Sequence, residues 1–82
     1  MAMFQVVSGE TVLFSFRANF SRATSPIQVC DGDGASRSDT PFRVSDSRSP
    51  IAAAKLVNGW QRSKGGKSWE RGARGLVLRR VL

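Results

Sequence analysis

Ser49-Pro50-Ile51-Ala52-Ala53-Ala54-Lys55-Leu56-Val57-Asn58-Gly59-Trp60 is the stretch that decides the fold. Ser49 suits a helix N-cap, and Pro50 fits the first helical position, where no amide donor is needed. Ala52, Ala53, Ala54, Lys55 and Leu56 are good helix formers. Ala53, Leu56, Val57 and Trp60 recur at helical spacing and mark one apolar face. The spacing predicts a helix over 50–58 that packs on a sheet through Ala53, Leu56 and Val57. Asn58-Gly59 offers a stop, with Trp60 on a last loose turn, and Ser63 to Gly66 breaks the element.

Strands lie on both sides of this helix. Upstream, Met3 to Val7 and Thr11 to Arg17 are rich in β-branched and aromatic residues, which fits two strands. Ser8-Gly9-Glu10 reads as a three-residue hairpin turn between them. Val12, Phe14 and Phe16 share the core face, and Leu13, Ser15 and Arg17 share the other. Ile27 to Cys30 is a third short strand, and Phe42 to Ser45 a fourth. Asp31 to Thr40 is built from turn formers and reads as a mobile loop. Downstream, Gly75 to Val81 is the last strand, with Trp69 before it in a short extra one. The expected fold is α+β: a small, mainly antiparallel sheet of four or five strands with one packed helix.

Length bounds the organisation. The chain has 82 residues, which fits one domain, 1–82. It divides into a β-rich half, 1–46, and a basic strand-helix-strand half, 47–82. Hydrophobic residues make up 40% of it, too many for full disorder. Cys30 is the single cysteine, so no intrachain disulfide forms, and it is read as a buried inert thiol. The first residues lack the charged and apolar regions of a secretory leader, and no run is long enough to span a bilayer. Residues 11–30 resemble a transit peptide in composition, but their alternation favours strand. A cytoplasmic location is the default expectation. Asn19-Phe20-Ser21 matches a glycosylation sequon and is read as coincidental in that setting.

Charge separates the halves. The net charge is +7. Residues 1–46 carry −1, whereas residues 47–82 hold nine Lys or Arg against Glu70 alone. A field of one sign in one half points to a nucleic acid, a membrane surface or an acidic protein patch as partner, of which the membrane is not expected here. The cations concentrate in Trp60 to Gly75. There Arg62, Lys64, Lys67, Arg71 and Arg74 alternate with glycines, and Trp60 and Trp69 bracket the Lys-rich loop. Glycine lets a backbone approach phosphate, cations neutralise it, and Trp69 suits stacking on a base. Arg62, Lys64, Lys67, Trp69, Arg71 and Arg74 are therefore the candidate partner-binding residues. The bland reading is a solvated basic loop with Trp60 in the core.

Catalysis finds no support in the residues. There is no His and no Tyr, so the commonest general base is missing. Asp31 and Asp33 lie in a Gly-rich turn that accounts for both. The start of a calcium loop there fails at Ala35 and Phe42. Gly66-Lys67-Ser68 resembles the end of a phosphate-binding loop, but Gln61 stands where the motif needs Gly. No metal, nucleotide or other cofactor is expected.

The order Phe42-Arg43-Val44-Ser45, then Ser49-Pro50-Ile51-Ala52-Ala53-Ala54-Lys55, then Gly75-Leu76-Val77-Leu78-Arg79-Arg80 resembles a module of small phage-encoded proteins, including some type I anti-CRISPR proteins. The resemblance covers about half the chain. Many proteins of that group are acidic nucleic-acid mimics. The basic charge here leaves the group's other mode, steric blocking of a surface on a CRISPR effector complex. The resemblance thus implies a non-enzymatic inhibitor, acting in a host cytoplasm on a protein or ribonucleoprotein partner. The alternative is a small DNA- or RNA-binding module or a ribonucleoprotein subunit. No binding residue carries over from the group.

Overall fold

The computed structural model describes residues 1–30, 36–69 and 77–81. Strands β1 (Ala2–Ser8), β2 (Thr11–Ala18), β3 (Pro26–Cys30) and β4 (Ser36–Arg43) form an antiparallel meander. A single helical turn, α1 (Val44–Ser47), leads into helix α2 (Pro50–Ser63). The chain returns as β5 (Val77–Arg80), antiparallel to β1. The sheet order is β4-β3-β2-β1-β5, so α2 carries the chain between the two edges. The expected α+β architecture of five strands and one packed helix is present.

The hairpin is tighter than the sequence suggests. Ser8 pairs with Thr11, leaving a two-residue loop, Gly9-Glu10, in place of the three-residue turn. Gly9 has φ +61°, the conformation that favours glycine at the first loop position. Farther along, Val6 pairs with Phe14 and Val7 with Val12, which leaves Leu13 as a bulge. The bulge corrects the period-two reading. Leu13 packs on the core, and Val12 lies outside it.

One sheet face carries the core. Phe4, Val6, Phe14, Phe16, Ala18, Ile27 and Val29 pack with Val44 and with Ala53, Ala54 and Val57 of α2. Phe4 and Phe16 sit opposite each other on β1 and β2, with rings stacked at 5.6 Å. Such aromatic cross-strand pairs stabilise a sheet beyond the area they bury. On the other face Met3, Val7, Ser15 and Cys30 are also buried.

The helix starts as expected and ends later. Ser49 Oγ accepts the Ala52 N–H at 3.3 Å, and Pro50 occupies the first turn. Gly59 does not stop the helix, which runs on to Ser63. Its termination is a Schellman motif. Gly65 takes φ +75° and donates to Arg62 O, and Gly66 donates to Gln61 O. The buried face is also turned from the expected one. Ala53, Ala54 and Val57 are fully buried, while Leu56 is half-buried and lies outside the core cluster. The face rotates toward Ala54 because Asn58, one turn farther on, is itself buried.

Residues read as loop and strand partly exchange roles. Ser36 to Thr40, taken as the second half of a loop, belong to β4 and pair with β3. Thr40 Oγ1 donates to Ile27 O at 2.7 Å, and Gln28 Nε2 donates to Asp39 Oδ1 at 2.7 Å. Pro41 is tolerated because β4 is an edge strand. Asp31 to Ala35, the first half of that loop, lie outside the described residues. The strand expected over Phe42 to Ser45 ends at Arg43. Asp46 accepts the Arg43 N–H at 2.8 Å and Val44 opens α1.

Candidate basic interface

The C-terminal end of α2 brings together four of the six sequence-derived site residues: Arg62, Lys64, Lys67 and Trp69. Arg71 and Arg74 lie outside the described residues. Arg62, Lys64 and Lys67 are exposed. They stand at the negative end of the helix dipole, where a cation is favoured.

Their neighbours sort them by role. The Arg62 guanidinium donates to the Trp69 carbonyl, so it helps hold the chain beyond the helix. Lys64 Nζ lies 4.7 Å from the centre of the Trp60 ring, a cation–π contact. Trp60 is half-buried against the core, as its helical register implies. Lys67 is exposed on the segment between these contacts. Gly65 and Gly66 do not form a phosphate cradle. The amides of Gly65 and Gly66 are both engaged in the helix stop.

Trp69 is held by Asn58. Asn58 Oδ1 accepts the Trp69 N–H at 2.6 Å, and Asn58 Nδ2 donates to the Trp69 carbonyl at 3.3 Å. Trp69 is half-buried, and its indole Nε1 is buried with no hydrogen-bond partner among the described residues. The N–H edge of the ring therefore points into the protein. By sequence Asn58 suits a helix stop, and nothing local signals its reach to a residue 11 positions on.

Three exposed arginines gather at the opposite end of α2, outside the expected site. Arg22, Arg48 and Arg80 line clefts around the loop 19–25. They come from three separate segments, so no sequence window contains them. Among the described residues no group of three His, Cys, Asp or Glu is placed to hold a metal ion, and no helix is long and apolar enough to cross a membrane. Comparison with protein-family models, curated proteins and solved structures finds no match to this chain.

Proposed function

We propose that this chain is a non-enzymatic binding protein of the phage-inhibitor kind, similar to anti-CRISPR proteins. In this reading it engages an acidic surface of a protein or ribonucleoprotein effector through the C-terminal end of α2. One observation carries the reading. Every described cation after Asp46, namely Arg48, Lys55, Arg62, Lys64, Lys67, Arg79 and Arg80, is exposed, and no described residue of that half is acidic. A one-signed exposed surface speeds encounter with an oppositely charged partner and selects against wrong ones. At this end of the helix a protein surface is favoured over a phosphate cradle, because the Gly65 and Gly66 amides are occupied by the helix stop and leave the exposed cations as the contact groups.

The test is capture from a host lysate, with and without nuclease, by wild type and by a Lys64→Gln/Lys67→Gln/Arg71→Gln variant. Nuclease-resistant capture of a defined complex that the variant loses supports the reading. Capture that nuclease abolishes, or that the variant retains in full, refutes it.

A further inference from the structure

We propose that the Arg22, Arg48 and Arg80 end of the molecule is a second binding site, one for single-stranded nucleic acid, independent of the reading above. Three open clefts, of about 280, 400 and 310 Å³, surround the loop 19–25. They form one continuous surface. Phe20 and Ser21 line both the first and the second, and Asn19 lines both the first and the third. Each cleft holds one of the arginines: Arg80 in the first, Arg48 in the second and Arg22 in the third. Among the described residues no acidic side chain lines any of them. Pro50, the first residue of α2, lines the cleft of Arg80, so the positive end of the helix dipole adds to the same field.

The platform is rigid before any ligand arrives. Asn19 N–H donates to Ser25 Oγ at 2.9 Å, and Ser21 N–H donates to Asn19 Oδ1 at 3.1 Å. The loop is stapled to α1 by Val44 N–H to Ser25 O at 2.9 Å and Ser45 N–H to Ala23 O at 3.0 Å. Phe20 is fixed edge-to-face on Phe4, with ring centres 5.7 Å apart. Rigid sites lose less freedom on binding.

Arg48 is the telling residue. It is a non-glycine residue at φ +65°, a left-handed conformation that glycine adopts without cost. That conformation is the C-cap of α1, with the Arg48 N–H donating to Val44 O at 2.8 Å, and this cap sets the side chain beside the second cleft. The arrangement fits a nucleic-acid strand better than an acidic peptide. The guanidinium fork matches phosphate, and the cations are spaced around Phe20, a half-buried ring that packs on the core and lines two of the clefts. Cationic grooves combined with an aromatic stacking surface are the means by which proteins hold single strands. Open clefts along a loop suit a strand passing over the surface and offer no deep pocket for a peptide anchor.

The test is fluorescence anisotropy with labelled oligothymidylate DNA and oligouridylate RNA of roughly twelve nucleotides, within the usual range of small single-strand sites. An Arg22→Gln/Arg48→Gly variant removes two cations, and its glycine relieves the strain, so loss of fold does not mimic loss of binding. The expected result is affinity about tenfold weaker, with a salt slope shallower by about 1.4 for two lost phosphate contacts. A Lys64→Gln/Lys67→Gln variant should keep most of the wild-type affinity. Comparing the two probes decides between DNA and RNA as the source of the strand. Three results overturn the proposal: neither probe binds, the arginine variant binds as wild type does, or labelled polyglutamate binds as tightly as both oligonucleotides.

Discussion

The Asn58 carboxamide closes a two-point hydrogen-bonded ring with the backbone of Trp69, accepting its N–H and donating to its carbonyl. A helix side chain thereby substitutes for a strand partner and fixes where the chain goes after α2. The same carbonyl also accepts from Arg62, so one peptide group is held by two helix side chains.

Asn58→Ala removes both bonds and leaves the Trp69 backbone groups without them. The expected cost is about 1–3 kcal/mol, because the Trp69 N–H loses its partner while the carbonyl keeps only Arg62. Denaturant unfolding measures it, and tryptophan emission should shift to the red as Trp69 loosens. An unchanged midpoint and spectrum would show that the clamp does not form in solution.

The sheet core and the outer side of α2 predict different responses. Phe16 is fully buried at the centre of the core, and Phe16→Ala should cost about 3–5 kcal/mol. Leu56 lies outside the cluster, and Leu56→Ala should cost less than about 1.5 kcal/mol, short of a full core truncation. Comparable losses in thermal melts would put Leu56 back into the core.

Much of this was legible because it is local. Ser49 and Pro50 announce the start of α2 through cap chemistry, and alternation announces β1 and β2. What escaped depends on partners distant in sequence. Ser36 to Thr40 have turn-forming composition and become strand only because β3 supplies a ladder. The Leu13 bulge inserts one residue that a period of two cannot register. The helix face escapes periodicity because Asn58, polar by composition, is buried and in contact with Trp69. At the candidate site, Arg62, Lys64 and Lys67 were visible as a run of charge. Arg22, Arg48 and Arg80 were not, since only the fold brings them together.

The helix stop gives a third prediction. Gly65 has φ +75°, and a Cβ there would meet nothing within 4 Å. Gly65→Ala should therefore cost about 1–2 kcal/mol from backbone conformation alone. At Gly66 the added Cβ would instead meet Gln61 Nε2 at 3.2 Å, at the flexible end of a side chain. Gly66→Ala should be the milder change in the same unfolding assay. The reverse order would argue against a Schellman stop.

Thr40 tests the edge strand. Its buried hydroxyl donates to Ile27 O and accepts the Phe42 N–H at 3.2 Å. Thr40→Val keeps the shape and removes both bonds, at an expected cost of about 1–3 kcal/mol. Hydrogen exchange at Phe42 should quicken with it. Unaltered exchange would show that β4 does not depend on this side chain.

The pairing of β1 with β5 bears on how the molecule assembles over time. Gln5 and Arg79 stand opposite each other although 74 positions separate them, and Val81 N–H reaches Met3 O at 2.8 Å. The β1–β2 hairpin closes a short loop and can form early, whereas the β1–β5 ladder must close almost the whole chain. During synthesis β1 leaves the ribosome before β5 and keeps one edge unsatisfied until β5 emerges. That interval is when the chain is most open to pairing with the wrong neighbour, and the two arginines of β5 are what finally cap the edge with charge.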